Sequence, residues 1–403
     1  MVPPSSALPG PTPAGRTHYA IGPGFILGLI RSRPVWTRAQ LVALTGLARS
    51  TLSERIDQLA AAKLVMVGKE AMVTGGRPAE SIRFNAAGGT LLVADIGGSH
   101  SRIGITDLHG SLIATTDKDI DISAGPDQIL GSTLADFHTL LAENSIDASH
   151  VRGIGIGMPG PVDTATGRIV RPRTMPGWDT VAVPDYFRAS FPNVPVLVDK
   201  DANIMALGEF RTSWSHEHST TITVKVGMGI GCGLIVNDTV LHGARGAAGD
   251  IAHISRGSDV QCLCGQNGCV EAVAGGRAIA AKLNAAGRTV TTSSDIVDLV
   301  REGDALAVRL VRQAGREIGE VLIPTIALIN PSLVVIGGNL ADSPEPLLAG
   351  IRESVYAHSH PLSTEALQIV PSKTGPQAGL TGAAMLTLDT IFAENAVDAA
   401  LSA

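Results

Sequence analysis

Three of the four cysteines in this 403-residue chain lie within eight residues, and this cluster constrains the fold more than any other feature of the sequence. Cys262, Cys264 and Cys269 follow His253 in the same segment. Three thiolates and one imidazole are the ligand set of a closed, tetrahedral structural Zn²⁺ site. The glycines between the cysteines permit the sharp turns that would bring all four side chains onto one ion. We therefore predict a structural Zn²⁺ site with these four ligands; the alternative is a group of reduced, buried cysteines.

The bulk composition is that of a soluble globular protein, with 44% hydrophobic and 17% charged residues. Aromatic residues make up only 3%, so the sequence offers no platform for stacking RNA bases. No apolar run approaches the length of a membrane span, and the N-terminus lacks the apolar stretch of a signal peptide. Together with the few, clustered cysteines, this predicts a cytoplasmic protein of two or three domains that does not bind a membrane.

The charge is unevenly distributed along the chain. The net charge is −6, but residues 20–85 hold nine Lys or Arg against four Asp or Glu, so this segment carries +5 and the rest carries −11. A small basic module on an acidic body indicates a local contact with a polyanion. Residues 1–19, which precede it and are rich in Pro, Ser and Gly, are predicted to be a disordered tail.

Residues 20–85 have the pattern of a winged helix-turn-helix, a DNA-binding module. Apolar periodicity predicts helices over residues 21–30, 38–45 and 51–61, with Thr37 and Ser50 as N-caps and Gly46 in the tight turn. Short strands over residues 65–68 and 72–75 would form the wing. Such modules usually bind as dimers to the two half-sites of a palindromic operator. A small helical bundle that contacts other proteins is the alternative.

The predicted DNA contacts are short polar and cationic side chains. Those near the start of the third helix face away from its apolar stripe, as in a helix that meets base edges in the major groove. Basic residues of the wing suit a phosphate or the minor groove. The residues are Arg49, Ser50, Thr51, Ser53 and Arg55 on the helix and Lys69 and Arg77 on the wing.

From residue 86 the chain repeats one pattern, in which a buried strand runs into a glycine-rich turn. Asp95 precedes Gly97 and Gly98 in the first turn, and further turns follow residues 221–226 and 333–336. Such a turn offers bare amides to a phosphate and a carboxylate to its metal, although it is also found in ordinary hairpins. Asp201, between a predicted strand and a helix, is placed to be a general base toward a sugar hydroxyl or simply to cap the helix. The repetition indicates a duplicated α/β unit.

Taken together, these motifs resemble the ROK family (repressor, open reading frame, kinase) over nearly the whole chain from about residue 20. The most specific motif is the family's zinc pattern, a histidine followed by CxCGxxGCxE, which ends here at Glu271. The resemblance implies an α/β, actin-like (ribonuclease H-like) sugar-kinase fold with two lobes over residues 86–403 and a zinc knot at 253–271. Family members are sugar kinases or transcription regulators with an added winged helix, and residues 20–85 look like that module.

The resemblance also implies which residues line the cleft. The phosphate or nucleotide loops would contain Asp95, Gly97, Gly98, Ser99, Gly229, Gly231, Gly233, Gly337 and Gly338. The sugar-binding positions would be Thr174, Lys200, Asp201, Asp250, His253 and Glu271, and Asp201 would be the catalytic residue of a kinase.

Six positions depart from the kinase pattern, among them Thr174 in place of an asparagine and Ala252 in place of a glycine. Ser99 and Met228 replace threonines of the two phosphate loops, Lys200 replaces an asparagine and Asp250 replaces a glutamate. Lys200 would pair with Asp201 and lower its basicity. Phosphoryl transfer depends mostly on positioning, so such losses multiply. We expect weak or absent kinase activity in a pocket that still binds a ligand, with an acidic or phosphorylated group facing Lys200.

The leading prediction is a homodimeric, zinc-containing, sequence-specific DNA-binding regulator, a repressor of carbohydrate-related genes, whose degenerate kinase domain senses a carbohydrate or a derivative. The ligand would shift the lobes and thereby the spacing of the paired winged helices. The alternative is a glucokinase-like enzyme that uses ATP and Mg²⁺. A third possibility is a DNA-binding protein with an inert ROK scaffold that responds to a protein partner.

Overall fold

The computed structural model describes residues 21–72 and 79–402 of the chain. The predicted tail at residues 1–19 and most of the predicted wing tip lie outside these ranges. The described residues form two compact units, which divide between Gly89 and Thr90 and again between Leu388 and Asp389.

The first unit begins with three helices and three strands. In chain order these are α1 (Pro23–Arg31), β1 (Trp36–Thr37), α2 (Arg38–Thr45), α3 (Arg49–Ala61), β2 (Val65–Met72) and β3 (Ala79–Phe84). The strands form one antiparallel sheet in the order β1-β3-β2. This order of elements agrees with the predicted winged helix-turn-helix.

The helix-turn-helix begins with a well-capped helix. The Thr37 hydroxyl accepts a hydrogen bond from the Gln40 N–H at 3.2 Å, and the Gln40 side chain accepts one from the Thr37 N–H at 2.9 Å. This reciprocal pair is a capping box. Gly46 ends α2 with a φ of 69°, a left-handed conformation that glycine adopts without steric cost. The predicted cap and turn are both confirmed.

The start of α3 differs from the prediction. The helix begins at Arg49 with Ala48 as its N-cap, and no described side chain caps it. Ser50 therefore lies inside the first helical turn, and its predicted role as the N-cap is wrong. The apolar stripe is the predicted one, because Leu52, Ile56 and Leu59 are buried.

The wing also differs from the prediction. Strand β2 extends to Met72, where the second wing strand was predicted to begin, and it pairs with β3 at residues 79–84; the rest of the predicted strand at 72–75 lies outside the described residues. The pairing of β2 with β3 shifts register between Gly68 and Met72. Lys69 lies on β2, but its side chain is outside the described part of the structure, as is all of Arg77.

The second unit has two lobes, each built around a five-stranded sheet. The first lobe contains β4 (Thr90–Ile96), β5 (His100–Thr106), β6 (Leu112–Asp119), α4 (Pro126–Glu143), β7 (Val151–Met158), β8 (Val162–Asp163), β9 (Arg168–Ile169), α5 (Asp185–Arg188) and β10 (Val196–Lys200). Helix α6 (Asp201–Ser213) follows directly and packs against strands of both lobes.

The second lobe follows α6. Its elements are β11 (Thr220–Val226), β12 (Ile230–Val236), β13 (Thr239–Val240), α7 (Val270–Ala274), α8 (Gly276–Ala285), α9 (Ser293–Arg301), α10 (Ala305–Ile329), β14 (Leu333–Gly337), α11 (Pro344–His358), α12 (Pro361–Thr364), β15 (Gln368–Pro371) and α13 (Ala378–Ile391). Aliphatic side chains of β11, β12, β14 and the long helix α10 form its main core.

The two sheets have equivalent topologies. Their strand orders are β10-β7-β4-β5-β6 and β15-β14-β11-β12-β13. In each sheet an antiparallel hairpin, β4-β5 or β11-β12, pairs in parallel with a later strand, β7 or β14. The predicted duplication is confirmed, and it places the two glycine turns at corresponding points of the two lobes.

The C-terminal segment belongs with the first unit. Residues from Asp389 onward, including α14 (Glu394–Ser402), pack with α1 and β3. The Gly24 N–H donates to the Asp398 carboxylate at 2.7 Å, and the rings of Phe84 and Phe392 meet edge to face. The expectation that residues 86–403 form a single domain is thus corrected, because these contacts join segments remote in sequence. Within the described residues, no helix is both long enough and apolar enough to cross a bilayer.

Candidate functional site

A cavity of about 690 Å³ is lined by residues of both lobes in the second unit. All six predicted sugar-binding residues line it, together with several of the predicted phosphate-loop residues. The predicted residues on its wall are Gly97, Gly98, Ser99, Thr174, Lys200, Asp201, Gly229, Gly231, Asp250, His253 and Glu271. The structure therefore brings together residues that the sequence separates by more than 170 positions.

Three largely buried charges, Asp95, Asp201 and Lys225, meet where the two lobes join, and we call them the ion triad; Asp201 and Lys225 line the cleft. The Lys225 ammonium lies 3.2 Å from Asp95 Oδ1 and 3.0 Å from Asp201 Oδ2. Asp95 is on β4, Asp201 begins α6, and Lys225 is on β11, so the triad joins the two lobes. The side chains are 6%, 18% and 13% exposed, respectively, so water screens these pairs weakly.

The Lys225 ammonium stays protonated in this setting. Burial alone would lower the pKa of Lys225, because it penalises the charged form, but Asp201 and Asp95 together outweigh burial and raise it. The triad thus holds a permanent cation beside both carboxylates.

The predicted pairing of Lys200 with Asp201 is wrong, although Lys200 lines the cavity as predicted. Its ammonium donates to the Ala248 carbonyl oxygen at 2.7 Å, and it is Lys225 that pairs with Asp201. Lys200 ends strand β10, whereas Asp201 turns into the first position of α6, so adjacent residues point to different partners.

A second contact holds the segment that carries Asp250. The buried Asp199 carboxylate lies 2.6 Å from His242 Nε2 and accepts a hydrogen bond from the Asn203 amide at 2.7 Å. The hydrogen bond to Asp199 raises the pKa of His242. Asp199 and Lys200 therefore anchor residues 242–248 to the end of β10, next to Asp250.

The sugar-side residues are held by backbone contacts. Glu271 accepts a hydrogen bond from the Ile230 N–H at 3.1 Å, which ties α7 to the second glycine turn. Thr174 lies in a loop anchored by the buried Trp178, whose indole N–H donates to the Ile122 carbonyl at 2.9 Å.

Two predicted phosphate-loop glycines have a packing role. Gly231 and Gly233 lie on β12 rather than in the turn, and a Cβ on Gly233 would sit 2.5 Å from the Ala202 carbonyl oxygen of α6. Gly233 is thus needed for close helix–sheet approach, which corrects its assignment to a phosphate loop. Cys232 between them is buried, and burial raises the pKa of its thiol to about 12, as suits the predicted inert filler.

His100, which belongs to no predicted motif, lies beside the first glycine turn. Burial, followed by the charge of Lys225, lowers the pKa of His100. The Asn339 amide nitrogen lies 3.4 Å from its Nδ1. Asn339 follows Gly337 and Gly338, so this contact joins the first and third glycine turns.

The four predicted metal ligands come together, and we call them the metal cluster: His253, Cys262, Cys264 and Cys269. Their ligand atoms all lie within 4.8 Å of one another. Cys262 Sγ is 3.7 Å from His253 Nδ1, and the sulfurs of Cys264 and Cys269 are 3.5 Å apart. A tetrahedral ion with bonds of about 2.3 Å to sulfur sets neighbouring ligands about 3.8 Å apart. The donor set and spacing therefore fit one metal ion.

The predicted DNA-contacting residues of α3 differ in accessibility. Arg49 and Ser50 are exposed, whereas Thr51, Ser53 and Arg55 are half-buried. The Arg38 guanidinium donates to the Ser53 hydroxyl at 3.0 Å, so Ser53 is held by α2. The exposed Arg49 and Ser50 lie in the first turn of α3, which is the part that recognition helices present to DNA.

Comparisons with known proteins agree with this architecture. The chain is 26% identical to the xylose repressor of Bacillus spizizenii over 363 residues, which cover 90% of this chain and 93% of that protein. The crystal structure of a ROK family transcriptional regulator, a homologue of the E. coli MLC protein, superposes with a TM-score of 0.78 at 25% identity. That match covers 94% of this chain and 98% of the other.

A kinase of known structure covers less of the chain. The ROK family glucokinase from Streptomyces griseus, solved with glucose and AMPPNP, is 27% identical with a TM-score of 0.62 and covers 74% of this chain and 99% of its own. The second unit therefore has the α/β, actin-like fold of ROK sugar kinases. The ROK family model itself matches residues 92–390. This chain belongs to the ROK family.

Proposed function

We propose that this protein is a sugar-responsive transcription repressor. In this proposal the first unit binds a DNA operator through α3, and the cleft of the second unit binds a carbohydrate or a derivative that weakens operator binding. The observation that carries the proposal is the separate, capped helix-turn-helix unit with an exposed, polar first turn of α3. The similarity to xylose repressors over nine-tenths of the chain supports it.

The proposed DNA contacts are Arg49, Ser50, Thr51, Ser53 and Arg55 on α3, with Lys69 and Arg77 on the wing. Arg49 and Ser50 would contact DNA first because they are exposed at the helix start. We also propose a homodimer on a palindromic operator, since two helix-turn-helix units commonly read two half-sites.

The proposed effector binds between Thr174, Lys200, Asp250, His253 and Glu271. Six basic residues line the cavity against four acidic ones, which favours an anionic group on the ligand. The proposed effector is therefore a sugar carrying a carboxylate or phosphate. Calorimetric titration with sugar acids, sugar phosphates and neutral sugars tests this, and tighter binding of neutral sugars would contradict it.

The proposed metal is Zn²⁺, because three thiolates and one imidazole are its preferred structural ligand set and leave no open position. His253 would then bind metal through one ring nitrogen and face the cleft with the rest of the ring. A thiolate site needs reduced cysteines, which fits the proposed cytoplasmic location.

An ATP- and Mg²⁺-dependent sugar kinase, with Asp201 as the base, is the alternative that the glucokinase relatives favour. The substitutions at Ser99, Lys200, Met228 and Asp250 argue against a kinase. The Lys225 ammonium, which pairs with the proposed base Asp201, is a further argument against it.

The repressor proposal is tested by selecting genomic DNA fragments on the purified protein and measuring their affinity by fluorescence anisotropy. Arg49→Ala should weaken binding by roughly tenfold or more. Arg188→Ala is the matched control, since Arg188 is an exposed arginine of the second unit. Equal loss in both variants, or no selected fragments, would contradict the proposal.

A further inference from the structure

The ion triad uses corresponding positions of the duplicated lobes. Asp95 lies two residues before the first glycine of the β4-β5 turn, and Lys225 lies two residues before the first glycine of the β11-β12 turn. Each pairs in parallel with a glycine of the next strand, Gly157 for Asp95 and Gly337 for Lys225. The two lobes thus present opposite charges from equivalent points, and these charges meet across the cleft.

The sheet around Lys225 is shaped to accommodate its long side chain. Its antiparallel neighbour Gly231 and its parallel neighbour Gly337 both lack side chains. A Cβ at either position would approach α6, at 2.9 Å from Ala202 or 2.1 Å from Met205. Neighbouring residues in a sheet face the same side, so Lys225 also faces α6, whose first residue is Asp201.

Asp95 is fixed from the opposite side. A Cβ on Gly379 of α13 would lie 2.2 Å from Asp95 Oδ2, so the helix backs directly onto the carboxylate. The Asp95 carboxylate therefore has little room to turn away from Lys225. The ammonium is also within 3.5 Å of both Asp95 oxygens.

A divalent metal does not fit this arrangement. Mg²⁺ needs oxygen ligands at about 2.0–2.1 Å in near-octahedral geometry. The Lys225 ammonium already lies at hydrogen-bonding distance from Asp95 and Asp201, and a second cation among the same oxygens would be repelled.

We infer that Lys225 is a tethered cation that takes the place of a divalent metal and clamps the two lobes together. The cleft then receives its ligand without metal and without a metal–nucleotide complex. This inference deepens the proposed sensor function, on which its ligand class rests: a small carbohydrate or derivative bound beside the triad.

The test is a Mn²⁺ titration followed by electron paramagnetic resonance, with the metal cluster loaded with Zn²⁺ beforehand. Mn²⁺ serves as the probe because it binds the same oxygen sites as Mg²⁺. The proteins are wild type, Lys225→Met and the control Lys118→Met, which removes a partly exposed lysine paired with Asp136 outside the cleft. Lys225→Met should bind Mn²⁺ roughly tenfold or more tightly than the other two. Adding Asp95→Asn to Lys225→Met should abolish that gain.

Equal Mn²⁺ affinity in wild type and Lys225→Met overturns the inference, provided that circular dichroism shows the variant folded. A second measurement needs no variant. MgATP should leave the melting temperature of the wild-type protein unchanged, and a rise would overturn the inference because only a bound ligand stabilises the folded state. Neither measurement uses DNA, so failure of the repressor proposal would be seen separately in the operator-binding assay.

Discussion

The metal cluster and the ion triad both gather ionisable side chains at one cleft, but they are held together differently. The cluster takes four ligands from a single segment, residues 253–269, and their spacing fits one metal ion. The triad takes its residues from β4, α6 and β11, and its cation is a side chain of the protein. The cluster would therefore depend on the proposed metal ion from solution, whereas the triad depends on the placement of the two lobes.

This difference determines how each site responds to change. Loss of the proposed metal would remove a cross-link within one segment. Loss of Lys225 leaves two largely buried carboxylates, one from β4 and one from α6, without the cation that neutralises them. The proposed metal would stabilise a local segment, whereas the triad joins the lobes.

The largest effect is expected from Cys269→Ser, which removes one ligand of the metal cluster. Cys269 is fully buried, and its loss should abolish stoichiometric metal binding and lower the free energy of unfolding on the order of 5 kcal/mol. Cys232→Ser is the control, since this buried cysteine lies outside the cluster and the variant should keep its metal. Metal analysis and denaturant unfolding provide the measurements. A metal-free Cys232→Ser protein, or a fully metal-loaded Cys269→Ser protein, would contradict the assignment.

Lys225→Met should disrupt the ion triad. Removing one partner of buried ion pairs costs about 3–5 kcal/mol, because the remaining charges lie uncompensated in a poorly hydrated site. Lys118→Met should cost no more than about 1 kcal/mol, since its pair is a quarter exposed and screened by water. Urea unfolding measures the free energy of unfolding of both variants. Similar losses would show that the triad contributes no more to stability than a surface ion pair.

Gly379→Ala tests whether α13 fixes Asp95. The new Cβ would collide with the carboxylate, and such overpacking should cost about 1–3 kcal/mol. Gly131→Ala is a matched control on α4, where a Cβ meets nothing within 4 Å, and it should stabilise by about 0.5–1 kcal/mol. If both substitutions stabilise the protein, Asp95 is free to move and the clamp is looser than the structure implies.

The smallest effect is expected at His242, which anchors the segment between the triad and the cluster. Its pKa is raised in the folded protein by the hydrogen bond to Asp199, so its contribution is complete below the unfolded pKa of about 6.5 and is lost as pH rises through the folded pKa. His242→Gln should therefore lower stability more at about pH 5.5 than at about pH 9. Thermal unfolding at both pH values measures this, and an equal loss at each would refute the role of the charged ring.

The same comparison explains what the sequence could predict. The clustering of His253 with the three cysteines was predictable because residues spaced so closely along the chain can meet whatever the rest of the chain does. The buried strands, the glycine turns and the duplicated topology were predictable from apolar runs that end in glycine. Thr37 and Gly46 were predictable because capping and left-handed turns are local chemistry.

The triad was not predictable in the same way, because its members lie 106 and 24 residues apart along the chain. The available signal was Lys225 itself, a cation within an otherwise apolar and Thr-rich strand next to a glycine turn. Lys200 was predicted to pair with Asp201 because the two are adjacent in sequence. Adjacent residues at a strand–helix junction, however, point in different directions. The prediction of Ser50 as the N-cap was wrong because α3 begins earlier, at Arg49. Helix ends are uncertain by one or two residues when they are predicted from sequence.

Affinity for a selected operator, measured during titration with sugars, sugar acids and sugar phosphates with and without MgATP, distinguishes a sensor from a kinase. We expect one such ligand to weaken DNA binding equally in both conditions, and we expect no ATP to be consumed. Dissociation from the operator that requires MgATP would contradict this expectation, as would ATP consumption that Asp201→Asn abolishes. Either result would show that the cleft is a working kinase and that Lys225 does not replace its metal.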